Sequence, residues 1–436
     1  GDGTPGESAD DALADSDTLQ IIVNPVNDPP SAVDDAATAV EAGGPDNGTP
    51  GVNPGGNLLA NDTDVDIATN GDVLVVTRAE SDETADSAVT PVAGFVSITG
   101  RYGTLVFDAT GLYEYVVDNE NAEVQALRQS GDTLQESFTY TMRDSGGVQD
   151  SATFTVTIQG ANDNPVAVND TGNAAEAGGV ANGTAGTDAA GNVLANDTDP
   201  DGGAGGPIDY GETQTVTGIR AVREDDPGSV TTVSGSTPIA GQYGTLTINP
   251  DGSYSYVIDN SSAAVQALSA GETLDDYFSY VVTDAGGLND IGELRIVING
   301  ANDNPVATDN VADAQAALST LPDTDAAESN PSGNVITNDT GAGQDSDVDA
   351  ADQPNTNLTV TGIRTGTEGA GGALTGVAAG GGEVAVLSAN GYGTLYIQSD
   401  GSARYNVDST NAAVVALGMG ATLTDTFTYE VSDTSG

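Results

Sequence analysis

The chain has 436 residues, a formal net charge of −57 at pH 7, and nine basic residues, all of which are Arg. Such a charge repels nucleic acid and anionic membranes, so we expect neither as a partner, and the lack of any run of about twenty apolar residues argues against membrane insertion. Cys and His are absent, which excludes disulfides, cysteine zinc sites and the Ser-His and Cys-His catalytic arrangements.

The first thirty residues divide into a polar part and an apolar part. Residues 1–17 are acidic, contain several Gly residues and lack periodicity, which predicts a loop or an extended tether. Residues 18–23, Thr-Leu-Gln-Ile-Ile-Val, predict a strand, and an Asn-Asp-Pro element follows them, as similar elements end residues 154–165 and 294–305. We therefore interpret residues 1–30 as a tether plus the closing strand of a preceding module.

A long internal repeat organises the rest of the chain. Residues 241–287 recur in similar form from Gly100 and again from Asn390. A repeat of about 140 residues is a domain in itself, because it has enough chain to bury a core. Boundaries are expected at the Pro of each Asn-Asp-x-Pro element, since Pro breaks strand pairing. The predicted modules are module 1 (residues 31–165), module 2 (166–305) and module 3 (306–436), and module 3 stops before its own closing strand.

The repeated stretch predicts a mostly β module. In module 2 apolar residues alternate on both sides of a turn at residues 249–252, where Gly252 takes a positive φ, which predicts a β-hairpin. Asn260 or Ser261 then caps a helix of one or two turns that ends at Gly271. Two further strands are predicted on either side of a Gly-rich turn, at residues 277–283 and 293–298.

Two other patterns in the modules have structural explanations. Tyr254, Tyr256, Tyr277 and Tyr280 follow the strand periodicity, which predicts core and cross-strand packing, with a carbohydrate-stacking surface as the alternative. The segments ahead of each hairpin differ most among the copies, as at residues 204–210 and 366–382, which predicts surface loops. This variation does not identify a binding loop.

Acidic residues at alternate positions are the main chemical signal. Modules 1 and 2 each carry an Asp-x-Asp-x-Asp triplet, whose spacing lets a tight loop aim several oxygens at one hard cation, whereas module 3 has an insertion between Asp339 and Asp345. The alternative is that these Asp and Asn side chains form Asx-turns and cap strands at the surface. The candidate ligands are Asp62, Asp64 and Asp66, Asp197, Asp199 and Asp201, Asp347 and Asp349, and at the boundaries Asn162, Asp163, Asn164, Asn302, Asp303, Asn304 and, more loosely, Asn27 and Asp28.

The ordered set of motifs in module 2 resembles the VCBS repeat of very large bacterial surface proteins and RTX-type adhesins. The motifs are Asn-Val-Leu-Ala-Asn-Asp-Thr-Asp at residues 192–199, Tyr-Gly-Thr-Leu at 243–246, Asp-Gly-Ser-Tyr at 251–254, Ala-Val-Gln-Ala-Leu at 264–268 and Tyr-Val-Val-Thr-Asp at 280–284. The resemblance covers nearly the whole chain. It implies an all-β tandem array of three Ig/cadherin-like β-sandwich modules, each with one short helix, that is extracellular and dependent on Ca²⁺.

The resemblance also implies how calcium would be held. In cadherin-like proteins an Asp-Asn linker, an early Glu and an Asp-x-Asp pair share calcium between consecutive domains. By this resemblance Glu41 and Glu176 correspond to the early Glu, and Glu328 corresponds to it in a rearranged context.

Three functions follow as expectations, and catalysis is not among them, because with so many Asp residues a pair of carboxylates suited to glycoside hydrolysis arises by chance. The first is a structural spacer or adhesive array of a bacterial surface protein or filament, rigidified by Ca²⁺ at its loops and joints. The second is a subunit that polymerises head to tail with other copies. The third is a module that binds a surface glycan or protein.

The two ends of the chain carry the prediction for assembly. Residues 18–23 supply a closing strand without a module, and module 3 lacks such a strand, so we expect residues 18–23 to pair beside residues 427–432 of the preceding copy. In a longer covalent array the preceding copy belongs to the same chain. In a non-covalent filament a neighbouring subunit donates the strand.

Overall fold

The computed structural model describes residues 17–24, 26–83, 94–201, 212–316, 330–338, 343–349 and 357–434. The chain divides into two compact units, residues 1–162 (unit 1) and 163–436 (unit 2). Strands dominate both units, so the predicted all-β class of sandwich modules is confirmed. Within the described ranges, no helix has the length and apolar character needed to cross a membrane.

Unit 1 contains module 1 as two four-stranded sheets, with the strand orders β1-β8-β7-β3 and β2-β6-β5-β4. The strands are β1 (Asp35–Val40), β2 (Gly55–Asn57), β3 (Val75–Ser81), β4 (Val96–Thr99), β5 (Gly103–Phe107), β6 (Leu112–Val117), β7 (Thr133–Arg143) and β8 (Gln149–Gln159). Strands β7 and β8 form a long antiparallel hairpin, and β1 runs parallel to β8 on its other side.

Module 2 lies in unit 2 and has the same plan. Its sheets have the orders β12-β11-β16-β17-β9 and β10-β15-β14-β13, with β17 between antiparallel β16 and parallel β9. The strands are β9 (Asp170–Ala175), β10 (Ala189–Asn192), β11 (Thr215–Arg220), β12 (Thr231–Thr232), β13 (Thr237–Ala240), β14 (Gly244–Ile248), β15 (Ser253–Ile258), β16 (Thr273–Thr283) and β17 (Asn289–Asn299).

Module 3 also lies in unit 2 and has a smaller second sheet. Its orders are β18-β23-β22-β21 and β20-β19-β24 among the described residues. The strands are β18 (Ser332–Asn334), β19 (Thr359–Thr365), β20 (Thr375–Gly376), β21 (Val384–Leu387), β22 (Gly393–Ile397), β23 (Ser402–Val407) and β24 (Phe427–Ser432).

The core of each module lies between its two sheets, because apolar side chains alternate along the strands and one face of each sheet is buried. One aromatic pair joins the sheets in every module with an edge-to-face contact. The ring centroids are 6.2 Å apart for Tyr115 and Phe138, 6.0 Å for Tyr256 and Phe278, and 6.1 Å for Tyr405 and Phe427. The predicted hairpin is confirmed as β14 and β15, with Gly252 at a φ of +79°.

The predicted helix needs correction. It is a single turn in module 2, α2 (Ala263–Gln266), and in module 3, α3 (Ala412–Val415), whereas the equivalent residues 122–126 of module 1 form turns. Ser262 is the N-cap residue of α2, and Ala267, rather than Gly271, ends it. The other short helices are α1 (Ile67–Asn70) and the 3-10 turns Pro45–Asn47, Val180–Asn182 and Glu368–Ala370.

Two further expectations are wrong in part. Tyr254, Tyr256 and Tyr280 are buried, but Tyr277 lies on the outer face of β16, where the Arg223 guanidinium stacks 3.5 Å from the ring centroid. The reason is that residues 277 and 280 differ by an odd number and so point to opposite faces of a strand. Residues 366–382 are not only loop, because β20 pairs with β19 there, and residues 204–210 lie outside the described part of the chain.

The strand predicted at residues 18–23 is not formed among the described residues, where this segment has no β pairing and its apolar side chains are exposed.

Candidate metal centres

Three carboxylates converge at one end of module 1. Asp64, Asp72 and Asp144 each place one carboxylate oxygen within 4.8 Å of the others. The sheet explains this, because Asp72 precedes β3, Asp144 follows β7, and Val75 pairs with Arg143 where the two strands meet. The amide of Ser145 also donates to Asp72 Oδ1 at 2.8 Å, which ties the two chain segments together.

The preceding linker is hydrogen-bonded to this cluster through its side chain and its backbone. Asn27 Nδ2 donates to Asp144 Oδ2 at 2.8 Å, and the Asp28 amide donates to Asp66 Oδ2 at 2.9 Å. The Asp66 amide in turn donates to Asp64 Oδ1 at 2.8 Å. The loosely predicted pair Asn27 and Asp28 is therefore placed at the same end of module 1 as the carboxylates.

The N-terminal end of module 2 repeats the arrangement. The Asp163 amide donates to Asp201 Oδ2 at 2.8 Å, and the Asp201 amide donates to Asp199 Oδ1 at 3.0 Å. Glu212 replaces Asp72, since its Oε1 accepts from the Ala285 amide at 2.7 Å, as Asp72 accepts from Ser145. Asp284 holds the position of Asp144 at the end of β16.

The N-terminal end of module 3 shows the arrangement a third time. The Asp303 amide donates to Asp349 Oδ2 at 3.0 Å, and the Asp349 amide donates to Asp347 Oδ1 at 2.9 Å. Asn302 Nδ2 donates to Asp433 Oδ2 at 2.9 Å, as Asn27 does to Asp144. Asp339 lies outside the described residues.

The first carboxylate of each predicted triplet is not part of these clusters. Asp62 accepts from the Val33 amide at 2.8 Å and lies beside the Tyr140 hydroxyl, and Asp197 lies in the same way beside Tyr280. Alternate residues would share one face in a continuous strand, but residues 61–66 form only an isolated bridge at Thr63 followed by a turn, so this alternation does not hold there. The prediction that all three carboxylates of a triplet share one site is therefore corrected: the second and third lie at the module end, and the first does not.

The two early Glu residues lie at the C-terminal ends of their own modules. Glu41 and Glu176 are buried, and their Oε1 atoms accept from the amides of Ala161 at 3.0 Å and Ala301 at 2.9 Å. Within unit 2, the charges of Asp303 and Asp349 act on Glu176. Unit 2 therefore brings together an early Glu, a linker Asp and an Asp-x-Asp carboxylate. Glu328 lies outside the described residues.

The remaining linker Asn residues have different environments. Asn164 donates from Nδ2 to the Asn289 carbonyl at 2.9 Å, and Asn304 is exposed. The carbonyl of Asn162 accepts from the Gly44 amide at 2.7 Å, and the carbonyl of Asn302 accepts from the Gly179 amide at 2.8 Å. The linker backbone is thus bound to the preceding module in each case.

In unit 2, burial and like charge raise the pKa values of Asp163, Asp201 and Glu176. Burial, followed by the charge of Asp199, raises the pKa of Asp163 to about 7. Burial raises the pKa of Asp201 to about 8, with additions from Asp199 and Asp163. Burial raises the pKa of Glu176 to about 7, with smaller contributions from Asp303 and Asp349. Ionised carboxylates at these positions therefore need a positive partner.

Buried oxygens without a hydrogen-bond donor occur at all three module ends. They are Asp64 Oδ2, Asp201 Oδ1 and Asp303 Oδ2, judged against the part of the chain that the structure describes. A buried acceptor without a donor is costly, and a carboxylate more so. Clustered carboxylate, amide and carbonyl oxygens are the ligands that Ca²⁺ prefers, so the residues present fit this ion.

Sequence reasoning missed five acidic residues at these ends, namely Asp72, Asp144, Glu212, Asp284 and Asp433. A signal for three of them was present, because Asp144, Asp284 and Asp433 occupy the same repeat position just before the Gly-rich turn. Asp72 and Glu212 differ in residue type and stand in variable segments, so only the pairing of the neighbouring strands shows that they are equivalent.

The chain is similar to several known proteins. The calcium-binding lectin RapA2 of Rhizobium johnstonii is 38% identical over 92 residues, which are 20% of this chain and 38% of the lectin. Repeats 22–24 of mouse cadherin-23 match with 15% identity and a TM-score of 0.39, over 88% of this chain and 89% of that structure. The protocadherin gamma B4 ectodomain matches with 15% identity and a TM-score of 0.41, over 89% of this chain and 46% of that structure.

A family model provides the assignment. The model described as the bacterial cadherin-like domain matches residues 27–160 and residues 162–300. These two ranges make up well over half of the 436 residues. The chain therefore belongs to the bacterial cadherin-like domain family.

Proposed function

We propose that the chain is a spacer and adhesive segment of a bacterial cell-surface protein, in which Ca²⁺ at the module ends holds consecutive modules in a fixed arrangement. Membership of the cadherin-like family supports an extracellular adhesive or structural array, and the lectin relative supports calcium binding. The motifs quoted above support the VCBS type and the three module ranges within that family.

The observation that carries the proposal is the carboxylate cluster inside unit 2. Glu176 and Asp303 belong to module 2 and Asp349 to module 3. The charges of Asp303 and Asp349 act on Glu176, and the Asp303 amide donates to Asp349 Oδ2. Like charges in such a buried cluster repel one another. In addition, Asp303 Oδ2 is buried and accepts no hydrogen bond from the described residues. A divalent cation would remove the repulsion and bind residues of two modules at once.

The residues that would hold the ion can be named for each end. Bound calcium would supply positive charge and coordination to several oxygens. Between modules 2 and 3 the ligands are Glu176, Asn302, Asp303, Asp347, Asp349 and Asp433. In unit 1 they are Asp28, Asp64, Asp66, Asp72 and Asp144, and at the start of module 2 they are Asp163, Asp199, Asp201, Glu212 and Asp284.

Calorimetric titration of the full chain with Ca²⁺ tests the proposal. Extracellular calcium modules bind with dissociation constants on the order of 10⁻⁴–10⁻³ M, so the titration must reach millimolar Ca²⁺. We expect Asp349→Asn to lower the number of bound ions. The charge-matched control Asp225→Asn, at an exposed loop position, should leave the number unchanged. Absence of binding at millimolar Ca²⁺, or equal effects of the two substitutions, would refute the proposal.

Carbohydrate binding is a second candidate function, favoured by the match to a lectin. The matched segment is only part of that protein, so the activity transfers only as a hypothesis. A glycan array probed with the full chain in Ca²⁺ and in chelator is the test. Binding that requires Ca²⁺ would support the candidate, and the absence of any hit in either condition would reject it.

A further inference from the structure

A strained loop that begins with the early Glu is repeated in modules 1 and 2. Residues 41–49 are Glu-Ala-Gly-Gly-Pro-Asp-Asn-Gly-Thr, and residues 176–184 are Glu-Ala-Gly-Gly-Val-Ala-Asn-Gly-Thr. Each loop has two consecutive residues other than Gly at positive φ, namely Asp46 at +49° and Asn47 at +56°, and Ala181 at +50° and Asn182 at +56°. Left-handed backbone is unfavourable for residues with a Cβ atom, so contacts outside the loop must hold this conformation.

The second residue of each strained pair is connected to the early Glu through a Gln side chain. In module 1, Asn47 Nδ2 donates to Gln125 Oε1 at 3.0 Å, and Gln125 Nε2 donates to Glu41 Oε2 at 3.3 Å. In module 2, Asn182 Nδ2 donates to Gln266 Oε1 at 3.0 Å. Burial raises the pKa of Glu176, and the Gln266 side chain opposes this rise, so Gln266 also acts on the carboxylate. Both modules thus contain the same order of Asn, Gln and Glu.

The bond from Asn decides which end of the Gln side chain faces the carboxylate. A Gln amide has one oxygen that accepts and one nitrogen that donates. Because Asn182 donates to Gln266 Oε1, the Gln266 nitrogen is left for Glu176. The reverse orientation would place two donors together at Asn182 and two acceptors together at Glu176. Gln266 Nε2 and Glu176 Oε2 are both buried, and neither is bonded to any other group in the part of the chain that the structure describes.

We propose that Asn182 and Gln266 are positioning residues that hold Glu176 in the orientation in which it binds Ca²⁺. Asn47 and Gln125 do the same for Glu41. The inference rests on the calcium-dependent function proposed above. Glu176 Oε1 is already fixed by the Ala301 amide at 2.9 Å, and the Gln amide restrains the second oxygen. A ligand that is oriented before the ion arrives loses less conformational freedom on binding, which raises the affinity.

Module 3 shows that the helix forms without this Gln. Val415 holds the position of Gln266, and α3 (Ala412–Val415) has the same four positions as α2 (Ala263–Gln266). The Val415 side chain is 51% exposed, so the position contributes little to the core of its module. Replacing Gln266 by an apolar residue should therefore remove the amide and leave the helical turn in place.

Calorimetric titration of the full chain with Ca²⁺ is the first test. We expect Gln266→Met and Asn182→Gly each to weaken binding between modules 2 and 3 by about tenfold or more, as is typical of residues that support metal ligands. Gly adopts positive φ readily, so Asn182→Gly removes the amide and keeps the loop. The matched control is Ala181→Gly, which relieves the same backbone strain one residue earlier, removes no amide and should leave the affinity unchanged. The double variant Asn182→Gly with Gln266→Met should bind no more weakly than either single variant, because the two residues act in series.

Hydrogen exchange in chelator gives a second readout that needs no metal. The Ala301 amide donates to Glu176 Oε1, so a carboxylate that is no longer restrained should let this amide exchange several-fold faster. We expect the faster exchange in Gln266→Met and Asn182→Gly but not in Ala181→Gly, and at Ala301 rather than throughout module 2, as a general loss of stability would give.

Three results would overturn the inference. They are equal Ca²⁺ affinities of the Gln266→Met chain and the unchanged chain, equal effects of Asn182→Gly and Ala181→Gly, and unchanged exchange at Ala301 in both amide variants. Absence of Ca²⁺ binding by the unchanged chain is a separate result, which would refute the proposed function and this inference with it.

Discussion

Modules 2 and 3 have nearly the same sequence at the start of one strand and a different structure there. Residues 273–278 are Thr-Leu-Asp-Asp-Tyr-Phe and begin β16, whereas residues 422–427 are Thr-Leu-Thr-Asp-Thr-Phe and enter a strand only at Phe427. The local preference for β structure is similar in both. The two strands differ in their pairing. Strand β16 is paired with β17 along its whole length, whereas β24 is paired only with β19 among the described residues. Strand length in this fold is set by pairing more than by local sequence.

Extending module 3 by a strand that pairs with β24 should remove this difference. We expect a chain extended beyond Gly436 by the sequence of residues 288–305 to form an 11-residue strand in module 3, as β16 does. Burial of each aliphatic side chain on the added strand stabilises the module by about 1.5–3 kcal/mol, so its melting temperature should rise in a calorimetric scan. The same extension with Ile296→Asp is the control, and unchanged hydrogen exchange at residues 421–432 would contradict the expectation.

Removal of calcium should affect the N-terminal ends of modules 2 and 3. At both ends the linker Asp amide donates to the second carboxylate of an Asp-x-Asp pair, whose own amide donates to the first. We expect chelator to lower the melting temperature at pH 8, because an ion that binds only the folded state stabilises it by mass action. Calorimetric scans with and without Ca²⁺ give the measurement. An unchanged melting temperature in excess chelator would contradict calcium binding at these ends.

In chelator, the free energy of unfolding of module 2 should decrease as the pH rises. The folded-state pKa of Asp163 is about 7 and that of Asp201 is about 8, whereas an unfolded Asp titrates near 3.9. The folded state therefore binds more protons across this interval, so the free energy of unfolding falls as the pH rises from about 4 to 8. In saturating Ca²⁺ the carboxylates stay ionised and this fall should disappear. A melting temperature in chelator that rises over this range would contradict the assignment.

Single substitutions should weaken calcium binding at the start of module 2 and at the start of module 3 independently of each other. We expect Asp199→Ala to weaken binding at the start of module 2 only, and Asp347→Ala to do so at the start of module 3 only. Substitution of residues that only support metal ligands typically lowers metal affinity by about 10–100-fold. Removal of a ligand itself should therefore weaken Ca²⁺ binding by about tenfold or more. Calorimetric titration measures the loss, with Asp225→Ala as the control. Loss of both sites from one substitution would show that the ends are coupled.

The smallest expected effect concerns one Tyr hydroxyl in each of modules 2 and 3. The Tyr280 hydroxyl lies among oxygen acceptors, including Asp170 Oδ2 at 3.2 Å, whereas Tyr429 has the Asn310 amide at 2.9 Å instead. Burial raises the pKa of Asp170 to about 6, so above that pH the carboxyl is ionised in the folded state and its burial lowers the free energy of unfolding. We expect Asp170→Asn to stabilise module 2 by about 1 kcal/mol at pH 8 and to have less effect at pH 5.

The reverse exchange in module 3 is the matched test. Asn310→Asp should destabilise module 3 at pH 8, because it places a carboxyl beside Asp345 at the same Tyr hydroxyl. Thermal unfolding at both pH values measures the two variants. If Asp170→Asn and Asn310→Asp changed the stability of their modules in the same direction, the stabilising role of the Asn310 side-chain amide would be contradicted.

The sequence alone determined the features that depend on neighbours along the chain. Alternation of apolar residues and the Gly252 turn were enough to predict the β14 and β15 hairpin, since period two and a positive φ are local properties. The repeat then predicted a tandem β architecture. It also indicated acidic module ends, because Asp64 and Asp66, and likewise Asp199 and Asp201, stand two residues apart in the sequence.

Tertiary structure decided which carboxylates meet. Asp72 and Asp144 are far apart in the sequence and come together because β3 pairs with β7, a pairing that no local pattern specifies. Asp62 is adjacent to the cluster in sequence but lies beside Tyr140, because residues 61–66 form no continuous strand in which alternate side chains share a face. Pairing likewise decided the length of β24, which pairs only with β19 among the described residues, since backbone hydrogen bonds to a neighbouring strand stabilise residues that would otherwise remain coil.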